Sequence, residues 1–123
     1  GVRIMMPGIP DKKLIFRMSH SFYQELLMGG VKIYEYIPGF LHAKSCVIDG
    51  KLATVGSVNL DHRSLFLQFE NNSLFYRSSI ADDVKKDFLA TQERCREIVP
   101  YNQTQYAFRL AFDGILRIFA PLC

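Results

Sequence analysis

Leu41-His42-Ala43-Lys44-Ser45-Cys46-Val47-Ile48, then Asp49-Gly50-Lys51, then Leu52-Ala53-Thr54-Val55-Gly56-Ser57-Val58-Asn59, is two largely apolar runs joined by a turn. Asp-Gly between such runs is a strong β-hairpin signal, because the two-residue turns that suit strand twist need residues tolerant of positive φ. A strand from Leu41 to Ile48 alternates, so His42, Lys44, Cys46 and Ile48 share one face, and Leu41, Ala43, Ser45 and Val47 the other. A His and a Lys two residues apart on one face place a proton carrier and a fixed positive charge within reach of the same phosphate. The second strand runs into Gly56-Ser57-Val58-Asn59, where glycine permits a tight backbone and Ser57 and Asn59 bring neutral hydrogen-bonding groups beside Lys44.

The pattern extends outward on both sides. After Pro7-Gly8-Ile9-Pro10, Asp11 is a good N-cap for a helix whose apolar residues Leu14, Ile15, Met18, Phe22 and Leu26 recur at helical spacing, and Gly29-Gly30 ends it. Val31 to Tyr36 then reads as a strand, so the chain opens with a β-α-β unit and a parallel strand pair. Phe69 to Tyr76 reads as a further strand carrying Glu70. Ser79 is the candidate cap of a second helix with Ile80, Val84, Phe88, Thr91, Cys95 and Ile98 on one face, ended by Pro100. The expected fold class is α/β: a mixed, largely parallel β-sheet flanked by helices. No repeat, low-complexity tract or long linker interrupts residues 1–123, which are expected to form one domain.

The six specified positions of H-x-K-x4-D-x6-G-S-x-N, filled by His42, Lys44, Asp49, Gly56, Ser57 and Asn59, resemble the signature of the phospholipase D superfamily. Ser21-Phe22-Tyr23-Gln24-Glu25-Leu26-Leu27, Gly30-Val31-Lys32-Ile33-Tyr34, Val58-Asn59-Leu60-Asp61-His62-Arg63-Ser64-Leu65 and the tail Phe119-Ala120-Pro121-Leu122 are similar to the bacterial cardiolipin synthases within it. The resemblance is to the C-terminal half of such an enzyme, which carries the second of two signature motifs. It implies phosphatidyl transfer between two phosphatidylglycerol molecules through a phosphohistidine, giving cardiolipin and glycerol. It further implies that His42 is the acid/base and that the nucleophilic His belongs to the other motif. Lys44, Ser57 and Asn59 would hold the phosphate, and Glu70 would orient and stabilise the imidazole of His42. Neither a metal nor another cofactor is required.

Asp49 belongs to the same implied catalytic set, yet seven extended steps from His42 span roughly 23 Å. Its place at the hairpin turn points to a structural role. The implied partners are phosphatidylglycerol, an anionic membrane surface and an N-terminal half bearing the first motif. The alternative is a phosphodiesterase or nuclease of the same superfamily, built as a homodimer of single-motif chains. The preferred reading involves no nucleic acid.

Composition agrees with a globular piece of a larger enzyme. The 123 residues are 49% hydrophobic and 22% charged, and the formal net charge of +3 is compatible with an anionic lipid or nucleic acid without selecting either. Gly1-Val2-Arg3-Ile4-Met5-Met6-Pro7 reads as a strand already inside a domain, so upstream sequence is expected. Neither a signal peptide nor a run of about 20 apolar residues occurs. Three cysteines, Cys46, Cys95 and Cys123, have no metal-binding spacing and suggest reduced thiols. The expected location is the bacterial cell membrane, with the active site facing the cytoplasm. His20 reads as a surface residue, and Asp61, His62 and Arg63 as a solvated loop. From Asn102 to Phe119 a helix is expected, with Arg109, Asp113 and Arg117 as a narrow polar stripe and apolar residues elsewhere. Such a helix would pack on the core and on the other half of the enzyme, or help dock it on an anionic bilayer.

Overall fold

Val31 donates its N–H to the carbonyl of Leu26 at 3.0 Å and Gly30 donates to that of Leu27 at 3.0 Å, with Gly30 at φ 83°. This Schellman cap turns a helix sharply into a strand, and it needs glycine at the left-handed position. The computed structural model describes residues 1–10, 12–100, 102, 114–115 and 117–118. It falls into two compact units, one containing residues 1–41 and the strand from Cys95, the other His42–Arg94.

The first unit is the expected β-α-β opening. Strand β1 (Arg3–Pro7) pairs in parallel with β2 (Lys32–Tyr36), and between them run α1 (Lys13–Ser21) and α2 (Tyr23–Met28). The single helix expected here is divided at Phe22. Ser19 and Ser21 hydroxyls donate to the carbonyls of Ile15 and Met18, and His20 Nδ1 bonds that of Phe16 at 2.7 Å, so three successive side chains engage backbone acceptors at the break. Lys12 occupies the N-cap without a side-chain bond; the expected cap, Asp11, lies outside the described residues.

Strand β2 is the centre of this unit, with Ile33, Tyr34 and Glu35 buried. The helical periodicity read through Ile98 is broken: α4 (Ser79–Gln92) stops after Gln92, and Cys95–Ile98 forms β6, antiparallel to β2. Cys95 and Ile98, three apart, share a face only in a helix, and pairing with the open edge of β2 overrides that periodicity and selects the strand. Ser78, not Ser79, is the N-cap of α4, and its side chain makes no capping bond.

His20 is a second correction. Its Nε2 lies 2.6 Å from Glu35 Oε1, and Arg96 Nη2 donates to Glu35 Oε2 at 2.7 Å, so a carboxylate only 2% exposed is held from α1 and β6 together. The ring also stacks on Tyr23 and meets Phe16. A charge buried this deeply is tolerable only with such partners, so His20 is a half-buried partner of Glu35 rather than a free surface residue.

In the second unit β3 (Ser45–Ile48), β4 (Leu52–Gly56) and β5 (Asn72–Tyr76) form an antiparallel sheet in that order. Val47, Ala53 and Phe75 lie in one cross-strand row, α4 packs on the sheet, and Ala53 and Ala81 are fully buried. A short helix, α3 (His62–Phe66), sits between β4 and β5 where a loop was expected. The α/β class thus holds, with the strands shared between two three-stranded sheets and parallel pairing confined to β1 and β2.

Of the C-terminal segment, Gly114, Ile115, Arg117 and Ile118 are described as helical, and Arg109 and Asp113 lie outside the described residues. Arg117 donates to Glu25 at 2.5 Å and to the carbonyl of Ser21, and lies over the ring of Phe22. This stripe residue therefore anchors to α1 and α2, while Ile115 and Ile118 are exposed. No helix among the described residues is long and apolar enough to cross a membrane.

Candidate active site

Antiparallel order brings the start of β3, the end of β4 and the start of β5 to one end of the second sheet. Of the expected site residues, Lys44, Ser57, Asn59 and Glu70 lie there, with His42 just before Lys44. The strand expected from Leu41 begins only at Ser45, leaving His42 and Lys44 in the segment that leads into β3. The ladder reaches one residue further, because Gly56 N–H donates to the Lys44 carbonyl at 3.1 Å. Lys44 Nζ in turn donates to the His42 carbonyl at 2.7 Å, which holds the ammonium beside the histidine backbone.

Gly56 pairs with Asn72 across β4 and β5, and a Cβ there would collide with the Asn71 carbonyl and with Asn72. Glycine is required by this close approach. Ser57 follows it and exchanges backbone and side-chain bonds with β5's leading segment: its N–H donates to the Asn71 carbonyl, and its Oγ accepts from the Asn71 N–H, both at 3.0 Å. The one proton of the Ser57 hydroxyl goes to Glu70 Oε2 at 2.5 Å.

Glu70 lies two residues before β5 rather than within the strand expected from Phe69. Its other oxygen accepts from Gln68 Nε2 at 3.1 Å. The hydroxyls of Ser57 and Ser64 lead the groups that hold its carboxyl below the ordinary value of 4.5; the Gln68 amide and the Lys44 charge add to them. Partial desolvation opposes this and is outweighed. Lys44, Ser57 and Glu70 are thus one electrostatic neighbourhood.

Asn59 is exposed and donates from Nδ2 to Ser64 Oγ at 3.4 Å. Asp61, expected in a solvated loop, is the N-cap of α3 and accepts from Ser64 N–H at 2.7 Å. Ser64 is buried. An Asp three residues before a residue at the start of an apolar run is a helix-cap pattern, and Asp61-His62-Arg63-Ser64 carried that signal. His62 stands exposed over Phe66.

Asp49 is kept apart from this cluster. It heads the hairpin at the opposite end of β3, with Asp49 at φ 51°, Gly50 at φ 64° and Lys51 N–H closing on the Ile48 carbonyl at 3.0 Å. Two central residues of positive φ make a type I′ turn, for which Asp-Gly is suited. Among the described residues no three His, Cys, Asp or Glu side chains gather as a metal site. Neither Cys46 nor Cys95 is in a disulfide, and burial pushes the thiol of Cys95 up.

An imidazole, an ammonium, a hydroxyl, an amide and a carboxylate at one sheet end can neutralise a phosphodiester and move a proton. The family described as "Cardiolipin synthase, PLD-like domain" matches residues 1–92, which include all of them. The chain belongs to this family. It is 41% identical over 98% of its length to a cardiolipin synthase of Geobacillus thermodenitrificans and 44% identical to a cardiolipin synthase 2 of Bacillus cereus, covering 24% of each. A protein of Streptococcus mutans described as uncharacterized is 39% identical, with 26% of it covered. No solved structure matches. This PLD-like chain therefore spans about a quarter of the length of the cardiolipin synthases it resembles.

Proposed function

We propose that the chain supplies one half of the phosphatidyl-transfer site of a cardiolipin synthase, acting at a membrane surface on the bacterial cytoplasmic side. The carrying observation is the convergence of Lys44, Ser57 and Glu70 at one sheet end, beside His42 and Asn59. In this reading a histidine outside the chain attacks the phosphorus of one phosphatidylglycerol. As the bond to glycerol breaks, His42 gives a proton to the departing oxygen. The hydroxyl of a second phosphatidylglycerol then returns a proton to His42 and attacks phosphorus, breaking the P–N bond and forming cardiolipin.

Lys44 balances the charge gathering on the non-bridging oxygens. Asn59 has a second amide hydrogen to offer besides the one given to Ser64. The Ser57 hydroxyl reaches phosphate by turning its proton away from Glu70, while Glu70 orients the imidazole. Neutral and cationic side chains thus meet the anionic group, and the scheme assigns no task to a metal or cofactor.

The test is cardiolipin formation from phosphatidylglycerol in the whole enzyme. His42→Ala and Lys44→Ala should each lower it by about 10²–10⁴-fold, with far-ultraviolet circular dichroism unchanged because both residues precede β3. Activity should persist in EDTA. Near wild-type transfer by either folded variant overturns the assignment.

A further inference from the structure

Helix α3 is inside out. Its one buried residue is the polar Ser64, 5% exposed and held by its N–H to Asp61 Oδ1, whereas Leu65 and Phe66 are 52% and 72% exposed. At 3.6 residues per turn His62 and Phe66 face away from Ser64, their rings 4.9 Å apart, with Arg63 and Leu65 at the flanks. The inversion continues on both sides of the helix, where Leu60, Leu67 and Phe69 are exposed. Five large apolar side chains open to water within ten residues mark a contact surface, not ordinary protein exterior. Charge narrows what that contact is. The two carboxylates of the region are already engaged, Asp61 by Ser64 N–H and Glu70 by Ser57 and Gln68. Arg63 is exposed and makes no ion pair among the described residues. The segment thus presents a cation among aromatic and aliphatic groups, the combination that suits anionic headgroups lying over acyl chains.

We propose that residues 60–69 are a bilayer-docking segment: their exposed apolar side chains enter the acyl layer of an anionic phospholipid membrane, and Arg63 meets its phosphates. The proposal rests on the phosphatidyl-transfer reading and deepens it, by naming the surface through which the lipid is met. Asn59 stands immediately before the segment and Glu70 immediately after it, so the chain leaves the proposed phosphate site and returns to it through these residues. A phospholipid that offers its phosphate to Lys44 and Asn59 must still keep its acyl chains out of water. Docking the segment in the bilayer meets that need, because the substrate then stays in its own membrane while its headgroup reaches the site. The Asp61 cap and the buried Ser64 hold α3 in place before lipid arrives, which reduces the ordering that binding has to impose.

Two measurements on the whole enzyme test this. The first is physical contact with lipid. The chain has no tryptophan of its own, so Phe66→Trp and Phe69→Trp each add one indole, read against the parent enzyme as blank. On phosphatidylglycerol vesicles carrying phosphatidylcholine with brominated acyl chains, both added indoles should be quenched and shifted to shorter wavelength. The second is kinetic. Phe66→Gln combined with Leu67→Gln should raise the vesicle concentration needed for half-maximal transfer about 10–100-fold, with kcat at saturating vesicles little changed. Transfer between short-chain phosphatidylglycerol molecules dispersed as monomers should be unaltered, since no bilayer has to be entered.

Added indoles that stay unquenched on vesicles to which the enzyme binds overturn the proposal, and this is the result expected if the rest of the enzyme or another protein covers the segment. Equal losses on vesicles and on dispersed short-chain lipid also overturn it, because the side chains would then serve the site and not the surface. Unaltered vesicle kinetics does the same. If the indoles are quenched but His42→Ala leaves transfer intact, the docking segment stands and the phosphatidyl-transfer reading fails.

Discussion

Lys44 has one ammonium and two neighbours that draw on it, the His42 carbonyl and the ionised Glu70. Its charge is fixed in place by the His42 carbonyl before any phosphate arrives. Replacement by arginine is not conservative here, because a broad planar guanidinium on a shorter stem takes the place of a compact point charge. Glu70 offers the cleaner measurement. Its folded-state midpoint lies below 4.5, lowered first by the hydrogen bond from Ser57. A carboxylate depressed in this way adds stability that is present above its unfolded value and is lost as pH falls through the folded one. Glu70→Gln should thus lower the urea midpoint at neutral pH, and the difference from wild type should shrink as pH drops below 4.5. A gap that stays constant over that range contradicts the hydrogen-bonding of Glu70 described above.

At the scale of elements, the hairpin and its neighbour strand decide whether the site exists. Gly56 sits where β4 and β5 approach too closely for any Cβ, with the Asn71 carbonyl and Asn72 in the way. Gly56→Ala should cost about 1–3 kcal/mol, as other overpacked sites do, read as a lower denaturant midpoint with an unchanged slope. The hairpin, the Schellman stop and the β-α-β opening were legible because local rules decide them: Asp-Gly at the turn, Gly29-Gly30 after the helix, and alternation through Val31 to Tyr36. The position of Asp49 away from Lys44, Ser57 and Glu70 was legible for the same reason. Other features depend on partners distant in sequence. Cys95–Ile98 fits a helical face until the edge of β2 recruits it, and His20 reads as surface until Glu35 and Arg96 are brought to it. The break at Phe22 turns on side-chain hydrogen bonds that apolar periodicity does not register.

For the molecule as a whole, the second sheet has α4 on one side among the described residues of its own unit. Cys46 and Ile48 alternate away from the buried row of Val47 and Ala53, and Ile48, Leu74 and Tyr76 of that outer side are exposed. Lys44, joined to Gly56 through its carbonyl, continues the same row toward the site. A sheet face with an apolar end and, at the other, the residues proposed to bind phosphate is suited to a second motif-bearing surface packed against it, and the relatives are about four times as long as the chain, which covers 24% of them. The chemistry demands such a surface independently. In an in-line displacement the attacking nitrogen and the departing oxygen lie on opposite sides of phosphorus, so one imidazole cannot both attack and protonate. His20 is committed to Glu35, and His62 lies outside the H-x-K pattern. The chain by itself should therefore be inactive as a monomer, and any phosphodiesterase activity it shows should rise with concentration as copies associate and bring two His42 residues together. Hydrolysis and transfer measured across a dilution series, with mass by light scattering at each point, test this. Specific activity that stays constant down to concentrations where every molecule is monomeric would refute the two-motif mechanism, and with it the acid/base role given to His42.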